Sequence, residues 1–250
     1  ICISHATAND VTWWVKEKSD VHRVKPFRIA WSHIGADIEN SQPTRGLPND
    51  ANAILNLISS SPSFLMVSTI EPRKCHAQVI AAFEQLWQSS MQVNLVILGK
   101  QGWTVEELVA KLRLHPELGK RLFWLEGVSD EYLEKVYAAS TCLIMASEGE
   151  GFGLPLIEAA RHKLPIIARD IPVFREIAGE YAFYFPDDKS PQVVAEYIEK
   201  WLNLYKEEKH PKSEGMPHLT WKESAQNLID IIINDKWYCK ILPDGRVEYL

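Results

Sequence analysis

Short apolar runs alternate with helical patterns through the middle of the chain. Runs at 64–68, 93–98, 122–125, 142–145, 165–168 and 182–185 are rich in apolar side chains. That is how strands covered on both faces read. Amphipathic stretches lie between them at 77–87, 105–114, 130–139, 154–162 and, shorter, 172–178. Val79, Ile80, Phe83 and Leu86 recur at helical spacing in the first. Leu133, Val136 and Tyr137 do so in the third, with Asp130 at an N-cap position. Strand then helix, repeated, predicts an α/β fold: a parallel sheet with helices on both faces. Such sheets bind ligands at the carboxyl ends of their strands, near helix N-termini.

The ends differ. Residues 1–3 and 27–32 read as strands and 9–18 as a helix. The stretch 39–52 is polar, with two prolines and a glycine, and reads as a linker or loop. Beyond the sheet, helices are expected at 192–207 and 221–233, with a loop at 210–218. Residues 237–250, with Pro243-Asp244-Gly245 at their centre, suggest a terminal hairpin or the start of a further segment. The chain opens on Ile1 with what reads as a strand in mid-element, as a fragment of a longer chain would.

Composition narrows the function. Hydrophobic residues are 46% and charged residues 24%, the balance of a globular protein. A net charge of −6 disfavours a nucleic-acid binder, which needs a basic face. Cys2, Cys75, Cys142 and Cys239 form neither a C-x-x-C motif nor a zinc spacing, and reduced cysteines fit a cytoplasmic protein. No apolar stretch has the length of a membrane span.

The most unusual segment runs Ser147-Glu148-Gly149-Glu150-Gly151-Phe152-Gly153-Leu154-Pro155 and on to Glu158. It reads as strand, glycine loop, helix, with proline where a missing N–H costs nothing. Free N–H groups at such a helix start attract an anion, and glycines let a ligand approach the backbone. Glu150 and Glu158 flank the turn, and carboxylates accept from sugar or ribose hydroxyls. A helix dipole accounts for one acid there, but not for three alternating glycines. Arg73 and Lys74 follow the first sheet strand and enter a helix, where cations suit a phosphate. Gly99-Lys100-Gln101-Gly102-Trp103, after the second strand, would admit a nucleotide base or simply form a tight turn. There is no P-loop, no G-x-G-x-x-G after the first strand, no G-x-S-x-G elbow and no D-x-D pair for a metal–diphosphate.

Glu150-x7-Glu158 resembles the signature of the family 4 retaining glycosyltransferases of the GT-B fold. Four further segments resemble the same family in order: Glu71-Pro72-Arg73-Lys74-x-His76, Gly127-Val128-Ser129-Asp130-x-x-Leu133, the stretch from Pro165 to Gly179, and Trp221-Lys222-Glu223-Ser224-Ala225. The resemblance covers about residues 62–233. It implies a Rossmann-like donor-binding domain at 62–236, the C-terminal half of a two-domain enzyme. Residues 1–37 would be a remnant of the N-terminal domain and the crossing segment, and 38–61 the linker. The missing N-terminal domain of the same chain would hold most of the acceptor, so this fragment alone would transfer sugar poorly.

The resemblance implies that Arg73 and Lys74 neutralise the donor diphosphate and that Glu158 binds the ribose. Glu150 and the backbone of Gly151, Phe152, Gly153 and Leu154 would hold the sugar and phosphates. Val128 and Leu133 would border the base, and Gly99 and Lys100 would lie on the donor side. Glu150, Lys74 and Arg73 would be the catalytic set, with no metal and no cofactor beyond the nucleotide sugar. Cys75 replaces the Asn of many members, and Thr69 lies where some have an Arg, which puts more weight on Arg73 and Lys74. The pattern looks most like bacterial polysaccharide mannosyltransferases, so GDP-mannose is the preferred donor and a UDP-sugar the alternative. The acceptor would be a glycan or a lipid-linked glycan, and the latter would bring the protein to the inner face of a membrane. The competing readings are a catalytically silent sugar-nucleotide-binding module and a GT-B-shaped epimerase or phosphorylase.

Overall fold

The computed structural model describes residues 1–17, 24–37 and 46–250. Helix α1 (His5–Glu17) leads to strand β1 (Phe27–Ile29), and α2 (Ala51–Ser59) leads to β2 (Ser63–Val67). Then come α3 (His76–Gln88), β3 (Asn94–Leu98), α4 (Glu106–Arg113), β4 (Leu122–Leu125), α5 (Asp130–Ala139) and β5 (Cys142–Met145). The series continues with α6 (Leu154–Arg161), β6 (Ile166–Arg169), α7 (Pro172–Ala178), β7 (Phe183–Phe185), α8 (Pro191–Lys206), α9 (Trp221–Ile233), β8 (Cys239–Ile241) and β9 (Val247–Tyr249).

Six strands form one parallel sheet in the order β4-β3-β2-β5-β6-β7. This is the Rossmann-like order, with its reversal between β2 and β5. Ligand crevices of doubly wound sheets open there, beyond the strand carboxyl ends. Side chains alternate faces along each strand. Leu65, Leu143 and Met145 pack in a core with α2, α5, α6 and α7. Phe64, Met66, Cys142 and Ile144 pack in a second core with α3, α4 and α8. The central strands are buried on both faces, which is why they read as apolar runs; Phe183 and Tyr184 of the edge strand β7 are half-buried.

The remaining strands form a small antiparallel sheet, β1-β8-β9. The expected terminal hairpin is thus present, and β1 is its third strand. Ile29, Cys239 and Ile241 close a small core with Ala8 and Val15 of α1.

Several expectations need correction. Residues 1–3 are not a strand: Cys2 makes a single parallel bridge to Trp31. The first helix begins at His5 rather than 9, because the Ser4 hydroxyl accepts the Thr7 N–H at 3.1 Å and starts it early. Its expected end at 18 lies outside the described residues, as do 38–45 of the expected linker. Residues 51–59 of that linker are helix α2, because Ala51, Ile54, Leu55 and Ile58 place one apolar stripe against the sheet. The N-cap of α5 is Ser129, not Asp130, since the Ser129 hydroxyl accepts the Tyr132 N–H. Among the described residues, no helix is long and apolar enough to cross a membrane.

Gly99 shows how tightly the strand ends are drawn together. It has φ +155°, and a Cβ built there would lie 1.9 Å from the Ser68 carbonyl oxygen. The Ser68 N–H donates to Leu98 O at 3.0 Å and the Ile70 N–H to Lys100 O at 2.9 Å, continuing the ladder past β2. Gly99→Ala is therefore expected to lower unfolding free energy by about 2–3 kcal/mol. Urea denaturation checks this, and an unchanged midpoint would contradict the close approach.

Candidate functional site

The loops after β2 and β5 meet at the reversal of strand order. After β2, Pro72 opens a 3₁₀ turn, Pro72–Lys74, and Cys75 takes the left-handed conformation at φ 57°. That reversal feeds the chain into α3 and leaves Arg73 and Lys74 at the sheet's carboxyl end. After β5, the Glu148 N–H donates to the Arg73 carbonyl at 3.0 Å and joins the two loops through their backbones.

Glu150 completes the junction. Its Oε1 accepts from Lys74 Nζ and, at 2.7 Å, from the Ser147 hydroxyl. Its Oε2 accepts from Arg73 Nη1 at 2.8 Å, and the same guanidinium donates to Gly149 O at 2.7 Å. Arg73 also reaches Glu71 at 3.3 Å. Burial of the Glu150 carboxyl favours its neutral form, but the hydrogen bonds from Lys74, Ser147 and Arg73 outweigh that and hold its pKa below the usual carboxylate range. Glu150 is therefore an anion at neutral pH, clamped by two cations. Behind Lys74, His76 is buried against the Ser68 hydroxyl at 3.3 Å. Burial first, and Lys74 second, push its pKa down to about 4, so this imidazole stays neutral beside the ammonium.

The glycine loop rises from this cluster into α6. Gly153 caps the helix at φ +103°, Leu154 is its first residue and Pro155 follows. The N-terminus of α6 thus lies at the strand ends, where an anion would be received; Pro155 lacks an N–H and the Leu156 N–H donates to Gly153 O at 2.9 Å, which leaves the Leu154 end of the turn to meet it. Gly151 is held from the other side. A Cβ there would lie 2.9 Å from Ile3 Cδ1, and the Thr7 hydroxyl donates to Gly151 O at 3.2 Å. Phe152 is a core side chain, buried with its ring 5.2 Å from His33, so only its backbone faces the loop.

Glu158 has different company. Its Oε2 accepts from the Tyr137 hydroxyl at 2.6 Å. Burial, then the charge of Glu158, push the Tyr137 phenol well up, so it remains a donor. The two line a cavity of about 300 Å³ with Asp130, Leu133, Glu134, Arg161 and His162. Val128 lines a different cavity, of about 440 Å³, with Gly46, Asp50, Trp124 and Tyr132. The structure thus unites Leu133 with Glu158, and Arg73 and Lys74 with Glu150; Val128 packs on the same core as Leu133 but lines the neighbouring cavity. Gly99 and Lys100 lie beside the loop that leads to Arg73: Ile70 bonds to Lys100 on one side, and its carbonyl accepts from Gly102 at 2.9 Å.

Sequence reasoning missed two anchors. Ser147 carries no motif signal beyond its place before the glycines. Glu176 lies in the 165–179 segment without an assigned role. Its carboxylate accepts from the N–H groups of His5 at 2.7 Å and Ala6 at 2.8 Å and pairs with His33 at 2.7 Å. Burial opposes that charge, but His33 and the two N–H groups keep the Glu176 pKa low. The carboxylate tethers α1, and with it Thr7, beside the glycine loop.

Comparison with known proteins identifies the family and the fold. The pattern of the family described as glycosyl transferases group 1 matches residues 50–216. The chain is 52% identical over 232 residues to the serotype-specific mannosyltransferase WbdA of Escherichia coli, covering 92% of this chain and 28% of that protein. It therefore spans little more than a quarter of the length of that relative. It is 32% identical over 141 residues to the O-antigen chain mannosyltransferase RfbU of Salmonella typhimurium, covering 55% of this chain and 38% of that protein. Among solved structures, it resembles the Anabaena protein HepE in complex with UDP and glucose, with a TM-score of 0.63 at 17% identity over 81% of this chain and 56% of that one. Sucrose-phosphate synthase from Thermosynechococcus elongatus gives a TM-score of 0.64 at 20% identity, over 90% of this chain and 56% of that one. The fold is that of the GT-B glycosyltransferases, and the chain belongs to the group 1 glycosyl transferases.

Proposed function

We propose that this chain is the donor-binding part of a retaining mannosyltransferase acting in polysaccharide biosynthesis, with GDP-mannose as its donor. The observation that carries this reading is the Arg73–Lys74–Glu150 junction at the reversal of strand order, beside a glycine-led helix start. Such a place suits a diphosphate: two cations and the N-terminus of α6 meet at one crevice. Likeness to mannosyltransferases of polysaccharide assembly supports the sugar. The acceptor in this reading is a glycan or lipid-linked glycan, held mainly by chain outside these residues. Work on a lipid-linked acceptor would place the protein at the inner membrane face.

In the reaction, the bond from the sugar's anomeric carbon to the diphosphate oxygen breaks, and the nucleoside diphosphate leaves with the electron pair. The acceptor hydroxyl oxygen bonds to that carbon on the face the diphosphate leaves, and its proton passes to the departing diphosphate oxygen. Charge builds on the leaving diphosphate, so Arg73, Lys74 and the α6 N-terminus would stabilise it, the task a metal performs elsewhere. Glu150 has an electrostatic and positioning role: it keeps both cations in place before the donor arrives and faces the sugar afterwards. Glu158, oriented by Tyr137, would accept from the ribose hydroxyls.

Calorimetric titration of the chain with GDP, UDP, GDP-mannose and UDP-glucose tests the reading. Guanine nucleotides are expected to bind best. Lys74→Ala and Glu158→Ala should each weaken binding about 10–100-fold, the loss of roughly 1.5–3 kcal/mol per charge-assisted contact. Binding of none of the four would refute the donor site, and preference for uridine nucleotides would refute GDP-mannose.

Acid should uncouple the junction. Because Glu150 titrates below its unfolded value, its contribution to stability is complete above the ordinary carboxylate range and disappears as pH falls through its depressed pKa. Glu150→Gln is expected to cost about 1–3 kcal/mol at pH 7, and that gap should close on acidification. Urea midpoints of both proteins across the acid range measure it; a gap that persists at low pH would show that Glu150 acts by shape rather than charge.

A further inference from the structure

Below the junction lies a charged group that no functional reading has used. Arg169 ends β6, and its guanidinium is fully buried. Removing a cation from water costs several kcal/mol unless its donors are satisfied. Here they reach three separate segments. Nε donates to the carbonyl of Ala146 at 2.9 Å, just after β5. Nη2 donates to Gln78 Oε1, in the first turn of α3. Nη1 donates to Asp188 O at 2.7 Å and Asp187 Oδ1 at 3.2 Å, after β7. Asp187 is the only anion in this set, and its side chain is 59% exposed. The other acceptors are neutral, so this burial is a poor bargain for stability alone.

What the fork joins is informative. Ala146 precedes Ser147, whose hydroxyl holds Glu150. Gln78 follows the turn that carries Arg73 and Lys74, and the Val79 N–H bonds back to Cys75 O at 3.1 Å. Gln78 is itself held from its other end, donating to Asp188 O at 2.7 Å and Ser190 O at 3.1 Å. One planar group therefore spans the roots of the cation loop and of the carboxylate loop. A lysine has one ammonium and cannot present donors in so many fixed directions.

We propose that Arg169 is a positioning residue that sets the spacing between the Arg73–Lys74 turn and the Glu150 loop. It touches no donor or acceptor itself. The proposal goes beyond the donor reading, and its first test needs no ligand. Lys74→Ala, Glu150→Gln and the double variant are compared by urea unfolding in the native background, in Arg169→Gln and in Arg169→Lys. In the native background the two substitutions should shift the midpoint non-additively, since the pair is in contact. In both Arg169 variants that non-additivity should fall by roughly half or more. If Arg169→Gln does not fold, Arg169→Lys decides alone. A lower midpoint with the Lys74–Glu150 coupling intact, in either variant, would overturn the proposal and leave Arg169 as core filling. GDP titration provides the second arm: about tenfold weaker binding is expected in Arg169→Lys at a temperature where it is folded, and unchanged affinity would likewise overturn the proposal. Failure of the wild-type protein to bind nucleotide would refute the donor reading alone, because the coupling measurement stands without it.

Discussion

A half-buried carboxylate shared by two cations and a hydroxyl organises this protein's crevice. Glu150 is withdrawn from water, a cost that burial alone would settle by protonating it. Lys74, Arg73 and Ser147 reverse that outcome. Both halves of the crevice then depend on one another: removing Glu150 leaves two cations facing each other, and removing either cation leaves a poorly solvated anion. The backbone bond from Glu148 to Arg73 and the guanidinium of Arg169 lie in the same seam. The charges are therefore in place before any anion arrives, and binding need not order them.

The parallel sheet was legible almost residue by residue. Its central strands are buried on both faces, and Leu95, Ile97, Leu143 and Ile167 leave no polar interruption to mislead. Helix α2 was hidden because its nine residues follow a polar, proline-bearing stretch, and two asparagines dilute its stripe. Pairing of β1 with β8 could not be read at all. Hydrophobic alternation marks a strand but not its partner, and these partners are far apart in sequence.

The site was legible as a set of candidates, not as a geometry. Arg73, Lys74 and Glu150 stood out by type and by place on the sheet, yet their contact depends on strand order, which no local pattern encodes. Phe152 belongs to the same motif, but its ring is core and only its backbone faces the loop. Arg169 escaped notice because an arginine closing an apolar strand reads as the first solvent-exposed residue beyond it. Burying it requires acceptors from three distant loops, and these converge only in the folded chain.

The small sheet has a consequence for how the molecule is made. Phe27 pairs with Ile241, so β1 is made well before the strand that pairs with it. Loops closed over such a distance form slowly, after local contacts. The parallel sheet, whose strand pairs are separated by far less sequence, can assemble while β1 is still an uncovered edge. Closure of the β1-β8-β9 ladder is then a late step, and until the hairpin is complete the nascent chain carries an open edge where another strand can add.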